Sequence, residues 1–352
     1  MPSREQIAAL RPAYREELAK GIARFFLPAR TNCPWCLGPD LRRKFRTGDL
    51  IQDKPGEFVL DECLGCGHIF QNPRLSQEGL DFYYRDFYDG LGAETTAKMF
   101  EGNGSRKRFR RSARALRRVA LPGRWLDVGT SLGHFCAAAK EVLPDTAFDG
   151  LDMGEGVEHA AKEGRVEQAY RGLFVDLAES MAGRYDVVSM FHYLEHTLDP
   201  HRELTAAHTA LAPGGHLMIE VPDPQSLCGR LLGRLWLPWF QPQHLNLIPM
   251  SNLCTRLRNL GFTVVVAERR DAHIPADLVC ATWFLFSRLL PPDDVPWRPK
   301  RPGRVSRVVR SAMVWTALPF LLAVYGIDQL LNPLLRRTRF SNAYRVIARR
   351  DG

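Results

Sequence analysis

The chain has 352 residues, 45% hydrophobic and 25% charged, which gives room for one large or two modest globular domains. No low-complexity tract or internal repeat is visible, so neither a disordered nor a repeat architecture is expected. The net charge of +9 is high and favours phosphate-bearing partners: nucleic acid, anionic lipid or nucleotide-linked substrates.

Residues 1–27 read as a helix, because Ile7, Leu10, Tyr14, Leu18 and Ile22 recur at helical spacing. The start, Met-Pro-Ser-Arg-Glu-Gln, lacks the apolar core of a signal peptide, so a cytoplasmic protein is expected. Residues 28–75 carry two cysteine pairs, Cys33-Pro-Trp-Cys36 and Cys63-Leu-Gly-Cys66. A CxxC turn brings two thiolates to one metal, and two such turns complete a tetrahedral shell. A structural Zn2+ on Cys33, Cys36, Cys63 and Cys66 is therefore expected, with Leu41 to Leu60 as the hairpin of a zinc ribbon. Disulfides are the weaker explanation in a reducing cytoplasm, and no thioredoxin-like context supports a redox pair. Cys136, Cys228, Cys254 and Cys280 are scattered and read as small buried residues. Residues 76–120 read as a helical connector. It holds an aromatic stretch, Leu80 to Tyr88, and a basic run from Arg106 to Arg118. The run is either a phosphate contact or a solvated helix face.

Residues 121–271 alternate strand and helix, with strands near 124–129, 147–152, 166–170, 185–191 and 214–222. The informative stretch is Arg124-Trp-Leu-Asp-Val-Gly-Thr-Ser-Leu-Gly-His-Phe135: a buried strand, a glycine turn and a helix start. Such a turn lets a nucleotide-like ligand lie against bare backbone. The dinucleotide pattern GxGxxG is absent, and Asp127 stands two residues before Gly129. A carboxylate there repels a pyrophosphate but suits a cationic ligand with an amino group, such as S-adenosylmethionine (SAM). Asp152 closes the second strand at about the spacing at which an acid meets ribose hydroxyls. Asp149, inside that strand, is the weaker candidate.

This order of motifs resembles the class I SAM-dependent methyltransferases, whose first motif reads acidic-x-Gly-x-Gly-x-Gly. Ser131 replaces the middle glycine here, while Pro213-Gly-Gly matches the family's turn into the fifth strand. The implied fold is α/β: a Rossmann-like seven-stranded class I methyltransferase sheet with an N-terminal zinc ribbon and a C-terminal helical apolar insertion. The implied cofactor is SAM, held by Asp127, Gly129, Thr130, Ser131, Gly133, Asp152, Met153, Phe174 and Phe191, with Phe174 (or Leu173) stacking on adenine. Tyr83 and Tyr84 are weaker candidates to close over its methionine end. The ribbon, then Phe70-Gln-Asn-Pro-Arg74, then the aromatic helix and the core, is similar to the sugar C-methyltransferases from about Cys33 to Arg270. That resemblance implies acid–base work for His196, with Glu195 assisting, in the stretch His192 to Pro200. It also places His244 of Gln241-Pro-Gln-His-Leu-Asn246 on the substrate side. The alternatives are a helix-entry motif for Glu195-His196 and a structural role for His244.

Asn252 to Leu260 reads as a helix closed by Gly261, and Phe262 to Glu268 as a strand. The expected last strand does not follow at once. Residues 342–352 hold it, since Ala343 to Arg349 alternates correctly, so residues 272–341 are an insertion. The insertion contains two apolar runs, Ala276 to Leu290 and Ala312 to Leu331, around a Pro- and Arg-rich spacer. Pro319 and Asp328 interrupt the second run, leaving it short of the ~20 clean apolar residues of a spanning helix. It reads either as a cap with its apolar faces buried on the core or as an interfacial or re-entrant membrane hairpin. In the second case Trp283, Trp297 and Trp315 lie near the headgroups. The basic flanks tip the balance towards an anionic membrane surface, on the inner face.

The expected function is methyl transfer to a sugar or glycan-linked acceptor, nucleotide- or lipid-linked. A small-molecule O-methyltransferase of the quinone or polyketide type is the alternative. An RNA-binding or RNA-modifying zinc-ribbon protein ranks lower, because the basic runs lack interleaved aromatics.

Overall fold

The computed structural model describes residues 3–87, 90–92 and 102–352. Its first strands are β1 (Leu41–Thr47), β2 (Phe58–Cys63) and β3 (Ile69–Gln71). Then come β4 (Arg124–Val128), β5 (Ala147–Asp152), β6 (Ala169–Arg171), β7 (Tyr185–Phe191) and β8 (Leu211–Pro222). The last are β9 (Asn246–Leu247), β10 (Phe262–Glu268) and β11 (Ala343–Arg350). Seven of them form one sheet in the order β10-β11-β8-β7-β4-β5-β6.

The centre of this sheet is parallel, β8-β7-β4-β5-β6, and helices cover it. That is why β4 is buried on both faces: Trp125, Leu126 and Val128 are all buried, and so is Asp127 between them. β11 lies antiparallel between β10 and β8, as the family resemblance implies. A buried ion pair ties it there, since Arg345 Nη2 lies 2.7 Å from Glu220 Oε1 of β8. The third core strand is shorter and later than expected. The amides of Arg165 and Val166 return to Ala160 O and close the preceding helix, leaving 169–171 for the ladder.

The ribbon sheet runs β1-β2-β3-β9. Its fourth strand, β9, comes from the segment after β8, so the ribbon is built onto the core. The aromatic helix spans Gln77–Tyr84; Tyr88, expected at its end, lies outside the described residues. The basic run lies in the helix Asn103–Arg117, which turns Phe109, Ala113 and Leu116 inward. Arg106 and Arg110 pair with Glu141, and half-buried Arg108 stands 3.8 Å from Glu220. Three of the run's eight basic side chains thus face carboxylates within the fold.

The insertion departs from the sequence reading. The second apolar run belongs to one helix, Arg304–Leu335, of 32 residues, which continues through Pro319. By length and composition it suffices to cross a membrane. Its most apolar stretch is almost entirely uncovered: Trp315 is 71% exposed and Leu330 79%. The long helix therefore does not bury its apolar face on the core, whereas Ala281, Phe284 and Trp297 of the same insertion are buried, the last against Tyr14 and so not free to lie near headgroups. Asp328 does not break the helix either. It is buried, and its carboxylate accepts N–H groups from Leu278 (3.1 Å) and Val279 (2.9 Å), capping the neighbouring helix Asp277–Ser287.

Candidate active site

The turn after β4 takes a left-handed path and packs closely on its neighbours. Gly129, Ser131 and Gly133 all have positive φ, at 77°, 49° and 70°. Ser131 thus keeps the conformation of the glycine it replaces. A side chain at Gly129 would meet Tyr193 Cδ2 at 2.8 Å, and one at Gly133 would meet Ala160 Cβ at 2.9 Å. The second contact lets the helix His134–Lys140 start hard against the neighbouring helix Gly156–Lys162, which carries Ala160.

Two carboxylates flank this turn. Asp152 Oδ2 accepts the Ser131 N–H (2.9 Å) and Oδ1 accepts the Gly154 N–H (2.8 Å), which fixes the side chain at the strand end. Asp127 lies beneath the turn, 3% exposed. Ser189 Oγ donates to its Oδ1 at 2.6 Å, and the Cys136 thiol faces its Oδ2 at 3.8 Å. Burial pushes the Asp127 carboxyl up to about 7, against the hydrogen bonds that lower it. Thr130 is also buried, 3.7 Å from Cys136 Sγ.

The adenine-side residues divide. Phe174 has no exposed surface and belongs to the core, so it cannot offer a ring to adenine, whereas Leu173 is 44% exposed. Met153 is exposed beside Asp152. Phe191 is half-buried, its ring 4.3 Å from that of Phe135. Tyr83 is fully buried, donating to Pro55 O at 2.7 Å, and has no free face for a ligand.

The turn after β7 carries the acid–base candidates. Glu195 is buried, with His192 Nδ1 3.1 Å and His244 Nε2 3.9 Å from its Oε1. Burial alone would raise its carboxyl, but the hydrogen bond with His192 and the surrounding imidazoles outweigh this and hold it below the usual value. His192 adopts φ 51°, left-handed for a non-glycine residue, and that conformation aims its ring at Glu195. The rings of His196 and His244 lie 4.7 Å apart. His196 Nδ1 lies 3.2 Å from Gln243 O and 3.0 Å from the Tyr84 hydroxyl, which itself donates to Gln243 O (2.9 Å). A proton on Nδ1 satisfies that carbonyl and leaves Nε2 as the lone-pair nitrogen. Burial pulls both imidazoles down, His244 to about 3, so both are neutral at pH 7. Glu195, His196 and His244 offer ligand atoms within 4.8 Å of one another, a set that also suits a divalent cation. Sequence reasoning missed the part of Gln243 and assigned Tyr84 elsewhere. The resemblance places the stretch around Gln243 on the substrate side, but no sequence signal joins Tyr84 to it.

The four ribbon cysteines come together, with Sγ atoms 3.7 Å (Cys33–Cys66) and 3.5 Å (Cys36–Cys63) apart. A tetrahedron of ~2.3 Å zinc–sulfur bonds has edges of about 3.8 Å, so the set fits Zn2+. The Trp35 N–H points at Cys33 Sγ (3.4 Å), as a thiolate would require. The second knuckle reaches the core: Asn252 donates to Cys66 O at 3.0 Å, and His68 pairs with Asn246 at 3.2 Å. Asn246 in turn donates to Thr197 O, one residue after His196.

Comparison with known proteins places this arrangement. A family profile described as a methyltransferase domain matches residues 105–267. A ubiquinone biosynthesis O-methyltransferase of Acinetobacter baumannii (strain AYE) is 32% identical over 151 residues, covering 40% of this chain and 63% of that protein. One from Marinobacter nauticus is 32% identical over 161 residues, covering 42% and 67% respectively. The chain thus spans 63% of the length of the Acinetobacter relatives. A SAM-dependent methyltransferase structure from Archaeoglobus fulgidus aligns at 19% identity and TM-score 0.44, over 73% of this chain and 99% of that one. With its motif order, its seven-stranded sheet and its 32% identity to the Marinobacter relative, of which it covers 67%, the chain belongs to the class I SAM-dependent methyltransferases.

Proposed function

We propose that this protein transfers a methyl group from SAM to a hydroxyl of a small apolar acceptor met at a membrane surface. One observation carries the reading. β4 and β7 are parallel neighbours, so the glycine turn after one and the Glu195–His196 turn after the other stand side by side. That sheet edge is where ligands bind in open α/β folds.

Gly129, Ser131 and Gly133 present bare backbone to the cofactor, Asp152 meets its ribose, and Asp127 offers a negative charge beneath its amino group. SAM, when bound, supplies an electrophilic methyl group with a neutral leaving group. The protein aligns the acceptor and excludes water. His196 takes the acceptor's hydroxyl proton on Nε2, and Glu195 stabilises the resulting imidazolium. His244 lines the acceptor side. Cys33, Cys36, Cys63 and Cys66 hold a structural zinc ion that performs no chemistry but anchors the ribbon against Asn246 and Thr197.

The O-methyl reading is supported by the names of the relatives, and the apolar acceptor by the exposed helix Arg304–Leu335 with arginines at both ends. That helix seats the protein on the inner membrane face, with the rest of the chain in the cytoplasm. A sugar or glycan-linked acceptor is the second reading, favoured by the four-cysteine ribbon on the acceptor side.

The test is calorimetric titration of SAM into zinc-loaded protein, beside Asp152→Ala. Methyl transfer from labelled SAM to catechol-type quinol precursors and to nucleotide-sugars then follows. Binding lost in the variant and label on a quinol precursor are expected. No SAM binding by folded wild type would overturn the activity, and label on sugars alone would overturn the acceptor.

A further inference from the structure

A cavity of about 600 Å³ lies away from the cofactor edge, between the ribbon strand β1 and the insertion. Arg43, Lys44 and Arg46 line one side and Arg234 and Arg288 the other, with Glu57 as the single carboxylate. Glu57 is already engaged by Arg46 at 2.9 Å, and Lys44 leans towards Glu62 at 3.5 Å. Arg43, Arg234 and Arg288 have no ion-pair partner among the described residues. These residues come from three distant parts of the chain. No local charge pattern assembles them, and they lie outside the basic runs the sequence displays.

Converging arginines without counter-ions repel one another, and an exposed cavity relieves this by holding a polyvalent anion. Guanidinium groups match phosphate oxygens through paired N–H donors. Arg288 also ends the helix Asp277–Ser287, which is capped by Asp328 of the long exposed helix. The cavity thus borders the helix that packs along the long exposed one. On the other side, Phe45 of its lining stacks edge-on against Trp239 at 5.2 Å, and Trp239 leads within a few residues to His244.

We propose that this cavity is a phosphate-binding site, separate from the SAM and acceptor positions. Two sources present that group: the headgroup of an anionic lipid lying along the insertion, and a soluble phosphate ester. The inference does not depend on the proposed methyl acceptor.

The experiment uses the full zinc-loaded chain and the triple variant R43Q/R234Q/R288Q, whose three positions are exposed. Inorganic pyrophosphate is titrated by calorimetry. Sedimentation with phosphatidylcholine vesicles, with and without phosphatidylglycerol, is measured in parallel. SAM affinity and zinc content serve as folding controls, and the three single variants replace the triple one if it misfolds. The variant is expected to lose pyrophosphate affinity by roughly tenfold or more. Loss of the preference for phosphatidylglycerol in the same variant assigns the site to a lipid headgroup. An unchanged preference assigns it to a soluble ester. A wild type that binds no pyrophosphate and has no anionic preference, or a variant equal to wild type in both assays, overturns the site. A wild type that ignores every vesicle refutes the membrane reading of the long helix alone, since the pyrophosphate titration still decides the cavity.

Discussion

The Tyr84 hydroxyl lies 3.0 Å from Nδ1 of His196, although 112 positions separate the two residues. Both meet the carbonyl of Gln243. A side chain at the end of the ribbon-side helix therefore helps orient the candidate base. If His196 is the base, His196→Ala lowers turnover by roughly 10²–10⁴-fold and spares SAM affinity. Tyr84→Phe costs about 1 kcal/mol, roughly fivefold in kcat, through looser positioning. Full activity in His196→Ala would remove that residue from the mechanism.

The buried carboxyl of Asp127 predicts a pH dependence. Burial raises it to about 7, so at pH 6 it is mostly protonated in the free protein. A cationic ligand favours the ionised form, so binding at low pH must expel a proton. SAM affinity should fall roughly five- to tenfold from pH 7.5 to pH 6, with proton release visible in buffers of different ionisation enthalpy. Asp127→Asn should flatten the profile. A wild-type affinity that does not change over this range would show that Asp127 does not face the ligand's charge.

Zinc is expected to matter for positioning. The second knuckle bonds to Asn252 directly and to Asn246 through His68, and Asn246 holds Thr197 next to the base. Removing zinc with a chelator, or replacing the exposed Cys36 by Ser, should lower thermal stability. Turnover should fall more than SAM affinity. A metal-free protein with undiminished turnover would reduce the ribbon to an appendage.

Two buried charges make stability predictions. Arg345→Met leaves Glu220 inside the sheet with only Ser112 and the more distant Arg108, and should cost about 3–5 kcal/mol in chemical unfolding. Asp328→Ala uncaps the helix Asp277–Ser287 and should cost about 0.5–2 kcal/mol. No change in the second variant would mean that solvent replaces the cap, despite its burial.

The order of the core strands, the glycine turn with Asp127 and Asp152, the two cysteine pairs and the late final strand were all legible in the chain itself. Each is encoded locally: periodicity reveals a strand, a turn needs residues that tolerate positive φ, and two thiolates on one metal need a fixed short spacing. Ser131 shows how far this reaches, since it departs from the motif yet keeps the turn. What the tertiary structure alone decided depends on distant segments. Phe174 faces the core because its helix packs that way, which a residue following a strand does not announce. Tyr84 meets His196, β9 completes the ribbon and Asp328 caps a helix some fifty residues upstream, each through packing between elements far apart in sequence. The long helix is the sharpest case. Its composition suits either a buried cap or a membrane contact, and only the arrangement of its neighbours left its apolar surface uncovered.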